Sequence, residues 1–190
     1  MNIEYFITSD NHFGHFNVIR LCNRPFQSLE HMNTTMIMNW NSAVGKNDIV
    51  YHLGDLFWSE RSAFDILPQL NGEIYLLLGN HDKRWKKIRN RLQKSPFNSD
   101  SNLIVEERDI LEIKEPLQAV LCHYPLMSWN RAVHGVWHFC GHTHSNFNTS
   151  ERKRVNVCVE NTDYTPINLS IFKDKKDIDE VRALNNLFKY

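Results

Sequence analysis

Residues 74–82 read IYLLLGNHD, an apolar run that ends in a glycine and three polar side chains. The run has the length and the aliphatic content of a buried β-strand. The glycine marks a sharp turn after the strand and lets the backbone approach a ligand closely. Asn80, His81 and Asp82 therefore stand at the carboxyl end of a predicted strand, where open α/β sheets gather their functional groups.

Four further apolar runs end in the same way. They are residues 5–12 (YFITSDNH), 49–55 (IVYHLGD), 119–123 (AVLCH) and 136–144 (VWHFCGHTH). Helical patterns alternate with these runs. One helix is predicted to begin at Ser28, because Ser28 can cap it and apolar residues recur at every fourth position from Met32 to Val44. Further helices are predicted over residues 16–22, 60–70 and 83–92. The alternation predicts an α/β fold in which all five runs deliver their polar residues to one sheet edge.

The remaining elements are predicted from shorter patterns. Residues 103–113 resemble a hairpin with its turn at 107–109, residues 155–159 and 167–172 two more strands, and residues 179–188 a terminal helix. The chain has no repeat, low-complexity segment or linker, so residues 1–190 are predicted to form a single domain.

Composition restricts the class of protein. With 190 residues, 42% of them hydrophobic, the chain can bury a substantial core, and its formal net charge of zero removes the bulk attraction expected of a duplex-coating protein. The four cysteines are widely spaced, which favours buried reduced thiols over a thiolate zinc site. No secretory signal and no apolar window of membrane-spanning length is visible, so a cytoplasmic location without membrane association is expected.

The polar residues at the strand ends form a set of metal-ligand type. Carboxylate, amide and imidazole groups without thiolate suit borderline divalent ions such as Mn²⁺, Fe²⁺, Zn²⁺ or Ni²⁺. Seven ligands exceed what one catalytic ion takes, but they suit two ions that share one carboxylate. Two such ions form a clamp for in-line displacement at phosphorus, which leaves His81 to protonate the leaving oxygen and Asp82 to orient the His81 ring. The seven are Asp10, His12, Asp55, Asn80, His123, His142 and His144.

The ordered set DxH, GD, GNHD, H and GHxH, from Asp10 to His144, resembles the calcineurin-like metallophosphoesterase superfamily. Residues 13–19, 23–26, 51–55 and 128–130 are further similar to a subfamily of small bacterial and phage phosphoesterases. The resemblance implies a four-layer αββα sandwich, with Asp55 bridging two ions and His81 as the catalytic histidine. It assigns Asp10, His12 and His144 to the first ion, and Asn80, His123 and His142 to the second.

At the second motif this sequence differs from one branch of that family, and the difference narrows the range of expected substrates. The protein-phosphatase branch carries GDxxDR at the second motif, whereas residues 54–59 read GDLFWS. A small phosphomonoester or phosphodiester is therefore the expected substrate. A nucleotide is favoured, because Trp58, Tyr124 and Trp129 could stack on a base. Packing beneath the loops explains these aromatic residues equally well. Mn²⁺ is the favoured metal. The alternatives are a nuclease that acts on short nucleic-acid ends and a non-catalytic metal-binding module.

Five residues that flank the motifs are predicted to bind the substrate; for His15, Arg24 and His52 the predicted role is to contact the phosphate or to orient ligands. Arg24 could equally be a surface loop residue, and His81 could be an orienting group instead of the acid. The five are His15, Arg24, His52, Asn130 and Arg131.

Overall fold

The structure is a computed structural model that describes residues 2–82, 102–106, 108–145 and 152–185. Its first sheet has the strand order β4-β3-β2-β1-β9. The first four of these strands are parallel, and β9 (Ile167–Asn168) pairs antiparallel with β1. The parallel strands are β1 (Tyr5–Thr8), β2 (Ile49–His52), β3 (Glu73–Leu77) and β4 (Leu103–Glu106).

A second sheet has the order β5-β6-β7-β8. β5 pairs antiparallel with β6, and the other pairs are parallel. Every residue of β6 and β7 is buried, which is typical of parallel strands covered on both faces and explains why these segments are apolar without alternation. The strands are β5 (Ile110–Ile113), β6 (Ala119–Cys122), β7 (Trp137–Cys140) and β8 (Arg154–Asn156).

Helices pack on the first sheet. After a short α1 (Val18–Leu21), α2 (Leu29–Ala43) begins as predicted at Ser28, whose hydroxyl accepts a hydrogen bond from the His31 backbone N–H at 3.1 Å. The predicted apolar face of α2, from Met32 to Val44, is buried with the outer side chains of the sheet. The helix predicted over 60–70 is α3 (Glu60–Ile66), followed by a 3-10 turn at Pro68.

The two sheets pack face to face over a second apolar core. Ile7, Leu53 and Leu77 from the first sheet meet Leu121 and Phe139 from the second. α4 (Ile178–Asn185) closes this core with Ile178 and Val181. The protein is thus a mixed α/β fold with two parallel-rich sheets, and the outer helical layer that a four-layer sandwich requires is not confirmed by the described residues.

Three predicted elements differ from the structure. The hairpin over 103–113 is wrong: β4 is parallel to β3 in the first sheet, whereas β5 is antiparallel to β6 in the second. The apolar residues of the two strands pack into different cores, which separates them. The strand predicted over 155–159 is three residues long and begins at Arg154, and most of 167–172 is a 3-10 helix. The helix predicted over 83–92 lies outside the described residues.

The strand ends converge from both sheets, so the predicted single edge is in fact built from two. The turn after β2 bonds to the turn after β1 through Asp10 N–H and Gly54 C=O at 3.0 Å. The His123 ring Nδ1 lies 2.7 Å from Leu53 C=O, which ties the end of β6 to the end of β2. This junction brings the five motifs together.

Candidate metal centre

Asp10 is the most informative side chain of this junction. It is fully buried, and its Oδ2 atom accepts hydrogen bonds from the His142 backbone N–H at 2.9 Å, from the Cys158 thiol at 3.2 Å and from the Ser9 hydroxyl. Its Oδ1 atom is buried without a hydrogen-bond partner among the described residues. A buried carboxylate oxygen without a partner is costly unless a cation occupies the space in front of it.

Two imidazoles point at that oxygen. His12 Nε2 and His144 Nε2 each lie 3.8 Å from Asp10 Oδ1. Ligand atoms at about 2.0–2.2 Å from one ion lie roughly 3–4 Å from each other, so the spacing fits a shared divalent cation. Asp10, His12 and His144 therefore form one group that could hold a metal ion.

A second group gathers around Asn80. Its Oδ1 atom lies 2.9 Å from His123 Nε2 and 2.9 Å from His142 Nδ1. His123 Nδ1 must carry the proton because it faces the Leu53 carbonyl, so in the neutral ring Nε2 presents a lone pair toward Asn80. Acceptor atoms that converge in this way suit a cation, and Asn80 and His142 stand at the solvent-facing side of the centre.

Asp55 joins the two groups. Its Oδ2 atom lies 3.7 Å from His12 Nε2 and 3.8 Å from His123 Nε2, and its Oδ1 atom accepts from the His81 backbone N–H at 2.9 Å. Asp10, Asp55 and His123 accordingly form another group within metal-ligand range. The Asp55 carboxylate thus lies within 4 Å of a histidine from each group.

The electrostatics of Asp55 and His12 suit a nearby cation, whereas His144 would first have to lose a proton. Burial, together with the Asp10 and Asp82 carboxylates, raises the pKa of Asp55 to about 8. Burial lowers the pKa of His12 well below its usual value, and the Arg24 charge lowers it further, so His12 is neutral and able to ligate a metal. Burial also lowers the pKa of His144, but hydrogen bonds with Cys22 and Glu160 outweigh burial and raise it to about 11.

The ligand turns adopt an unusual backbone conformation. Asp10, His12, Asp55, His142 and His144 all have φ between 49° and 69°. Left-handed conformations are uncommon for residues other than glycine, and they persist where surrounding structure imposes them, often at functional sites. Five of the seven predicted ligands share this feature, which periodicity in the sequence does not reveal.

Two glycines keep the turns close together. A Cβ atom on Gly54, whose φ is +99°, would come within 2.6 Å of Gly79 N and 2.8 Å of His123 Nδ1. A Cβ atom on Gly79 would overlap the Asp55 carboxylate. Both glycines therefore permit the close approach of the turns, and the predicted approach of the backbone to a ligand stays a prediction.

His81 lies on the open side of the centre. Its side chain is exposed, and its ring centroid is 5.4 Å from that of His12 and 5.3 Å from that of Trp58. Asp82 is buried, and its Oδ2 atom accepts from the backbone N–H groups of Asp55 at 2.6 Å and Gly79 at 2.8 Å. These bonds tie the second and third motif turns together, and the predicted action of Asp82 on the His81 ring stays a prediction.

Of the residues predicted to bind the substrate, Arg24 and His52 are buried, whereas His15 packs against the exposed Trp58 ring. The buried side chains of Arg24 and His52 bond to the turn after β1, so the geometry favours the predicted alternative of orienting ligands over contact with a substrate. His52 donates from Nε2 to Asn11 Oδ1 at 2.9 Å and accepts from the Gly54 N–H at 3.2 Å; burial lowers its pKa to about 3. His15 stacks on Trp58 at 3.6 Å, near His81, and stays a candidate.

Asn130 and Arg131 bond to side chains on β5 and just before β6. Asn130 Nδ2 bonds to the Glu112 carboxylate at 3.1 Å, and Arg131 Nη1 bonds to Gln118 Oε1 at 3.2 Å. Gln118 precedes β6, whereas His123 follows it, a separation of roughly 16 Å along the strand. This separation places the partner of Arg131 far from His123, and the prediction that Asn130 and Arg131 contact the substrate stays a prediction. Trp129 bonds to the Val136 carbonyl at 2.8 Å on the same connection.

Sequence reasoning missed several residues that support the centre. Ser9, Cys158 and Glu160 all contact ligands, and Glu160 Oε1 lies 2.9 Å from His144 Nδ1. Burial raises the pKa of Glu160, but the Arg24 charge and the His144 bond lower it overall, so this carboxylate is ionised. Glu160 follows the run VNVCV at 155–159, the same signal that marked the five motifs.

Fold and site together define a mixed α/β protein with residue groups that could bind metal ions. No protein-family model matches the chain. The chain is 37% identical over 194 residues to "Uncharacterized protein MJ1445" of Methanocaldococcus jannaschii, covering 97% of this chain and 98% of the relative, and it belongs to the same family. "Gene 66 protein" of Mycobacterium phage D29 is 27% identical over 201 residues, covering 94% of each chain.

One solved structure supports the fold. The crystal structure of the protein of unknown function AQ665 from Aquifex aeolicus matches with a TM-score of 0.61 and 23% identity, covering 88% of this chain and 96% of that one. Phosphopantetheinyl hydrolase PptH from Mycobacterium tuberculosis matches with a TM-score of only 0.33, which is too low to establish a common fold. Among the described residues, no helix is long and apolar enough to cross a membrane.

Metal affinity is expected to rise with pH. Asp55, with a pKa of about 8, and His144, with a pKa of about 11, bind a metal only after they lose a proton. The dissociation constant for Mn²⁺ should therefore fall by about tenfold per pH unit for each proton released between pH 6 and 8. Titration calorimetry in two buffers of different ionisation enthalpy measures the dissociation constant and the number of protons released. A pH-independent affinity without proton release would contradict this prediction.

Proposed function

We propose that this protein is a calcineurin-like metallophosphoesterase that hydrolyses a small phosphomonoester or phosphodiester with two divalent metal ions. The observation that carries the proposal is the position of Asp55 Oδ2, 3.7 Å from His12 Nε2 on one side and 3.8 Å from His123 Nε2 on the other. A carboxylate between two converging ligand groups is the arrangement that a dinuclear centre requires. Membership of this superfamily would also place a further helical layer on the second sheet.

The residues present fit two ions. Asp10, His12 and His144 would hold the first, Asn80, His123 and His142 the second, and Asp55 both. Asp10 Oδ1, buried and without a hydrogen-bond partner in the described part of the chain, supports this assignment, because a cation would supply such a partner. Imidazole, carboxylate and amide ligands favour Mn²⁺, with Fe²⁺, Zn²⁺ or Ni²⁺ as alternatives.

The ions, when bound, would lower the pKa of a shared water and neutralise the phosphoryl oxygens. The chain itself supplies the proton for the leaving oxygen from His81, the exposed imidazole beside the centre. Asp55 holds the His81 turn in place through the bond from the His81 backbone N–H. Asp82 ties the same turn to the Asp55 turn, because its carboxylate accepts from the backbone N–H groups of Asp55 and Gly79.

The open side of the centre suits a substrate with a flat group. Trp58 is 45% exposed beside His81, and Tyr124 is 46% exposed beside His142. Exposed aromatic rings on either side of the ligands favour a nucleotide, whose base can stack on them. His15, stacked on the Trp58 indole, would hold that ring in position.

The experiment that tests the proposal is hydrolysis of p-nitrophenyl phosphate, bis-p-nitrophenyl phosphate and a nucleotide panel. Extensive chelation should abolish turnover, and Mn²⁺ should restore it, because every proposed step depends on the ligand groups. Full turnover by a preparation shown by elemental analysis to lack metal would refute the mechanism. Metal binding without hydrolysis of any substrate would support a non-catalytic module, and cleavage confined to oligonucleotide ends would indicate a nuclease.

A further inference from the structure

We propose that Glu160, held in place by Arg24, is the residue that positions His144 for the first metal ion. Glu160 Oε1 lies 2.9 Å from His144 Nδ1, and an ionised carboxylate can only accept, so Nδ1 carries the proton. In the neutral ring, the form that ligates a metal ion, His144 Nε2 then presents its lone pair toward Asp10 Oδ1, 3.8 Å away. A carboxylate behind a ligating imidazole fixes the tautomer and the ring orientation and makes the imidazole a stronger ligand.

Arg24 fixes Glu160. Its Nε and Nη2 atoms donate to the same Glu160 oxygen at 2.9 and 2.8 Å, and its guanidinium is completely buried. Two further bonds reach the turn after β1: Nη2 donates to the Asp10 carbonyl at 2.7 Å, and Nη1 to the Asn11 carbonyl at 2.8 Å. One side chain therefore sets the position of the Asp10 turn relative to the His144 ring, although these segments are more than 130 residues apart.

The second ligand group is held differently. His123 Nδ1 bonds to a backbone carbonyl, that of Leu53, at 2.7 Å. No bond from Glu160 or Arg24 to Asn80, His123 or His142 is recorded among the described residues. Substitution of Glu160 should consequently weaken the first site and spare the second. This inference rests on the metal-binding part of the proposed function and does not depend on hydrolysis.

The test compares single-site proteins. His142→Ala leaves the first ligand group intact, and His12→Ala leaves the second. Adding Glu160→Gln, which removes the charge and keeps the shape, should raise the Mn²⁺ dissociation constant about 10–100-fold in the His142→Ala protein. In the His12→Ala protein the constant should change by less than about twofold, within the usual range for independent sites. Glu112→Gln, at an exposed carboxylate on β5, is the matched control.

An equal loss of affinity in both backgrounds would show that Glu160 supports the fold in general, and no loss in either would show that it does not position His144. A second measurement uses the unaltered protein, in case a variant fails to fold or to bind. In the Zn²⁺-loaded protein, nitrogen-15 NMR should show His144 protonated at Nδ1, with the strongly deshielded proton of a bond to a carboxylate. Protonation at Nε2, or an Nδ1 proton without that shift, would overturn the proposal. Both measurements remain decisive if no phosphoester is hydrolysed.

Discussion

His81→Ala is expected to keep its metal ions and to lose about 10²–10⁴-fold in turnover of a phosphoester with a poor leaving group, the usual contribution of a positioned general acid. The reason is its placement: the ring is exposed beside the centre, and the neighbouring Asn80 is the proposed metal ligand from the same turn. Elemental analysis and steady-state kinetics on alkyl phosphoesters measure the two quantities.

The leaving group provides the sharper test. p-Nitrophenolate hardly needs protonation, so the loss in His81→Ala should shrink for p-nitrophenyl substrates. His134→Ala is the control, because His134 is an exposed histidine on the connection to β7 and lies outside the ligand groups. If His81→Ala loses its metal ions, or if its turnover falls equally for substrates with good and poor leaving groups, His81 is not the general acid.

The second large effect is expected from Asp55, the side chain assigned to both ions. Asp55→Asn should leave fewer than two ions per chain after gel filtration, with a loss of turnover at least as large as that of His81→Ala, because the neutral amide bridges poorly. Asn keeps an oxygen that can accept from the His81 backbone N–H, so the turn itself should remain. Two retained ions per chain would show that Asp55 does not bridge.

The same substitution should stabilise the protein when metal is removed. Burial and the Asp10 and Asp82 carboxylates raise the pKa of Asp55 to about 8, so between pH 4 and 8 the folded protein holds a proton that the unfolded chain has released. The contribution of Asp55 to the free energy of unfolding therefore falls as pH rises through that range. In chelator, the melting temperature of Asp55→Asn should exceed that of the parent protein increasingly from pH 5 to 8. In Mn²⁺ the order should reverse.

Local patterns predicted most of the elements. The Ser28 cap and the apolar spacing of α2 were sufficient because a helix is determined by neighbours three and four residues away. Strand partners were not predictable in the same way: residues 103–106 and 110–113 have the pattern of a hairpin, yet they pair in different sheets. A strand pattern indicates which faces are apolar and contains no information about which neighbour completes the sheet.

Burial of polar residues was equally hidden from the sequence. Arg24 and His52 flank the motifs, and nothing local distinguishes a buried arginine that donates to backbone carbonyls from one that meets a phosphate. Glu160 differs from these two residues, because a local signal does mark it: it follows an apolar run just as the motif residues do. Its partners Arg24 and His144 became recognisable only once the chain was folded.

By itself, the sequence determined which chemical groups end the strands of this protein, since a run of buried apolar residues must stop where polar groups begin. The tertiary structure decided how those groups are used. Ser9, His142 and Cys158 all donate to Asp10 Oδ2, the Cys158 thiol from 148 residues away, whereas Oδ1 has no hydrogen-bond partner among the described residues. Hydrogen-bond satisfaction depends on every segment that surrounds an atom, and sheet packing brings these segments together from the whole length of the chain.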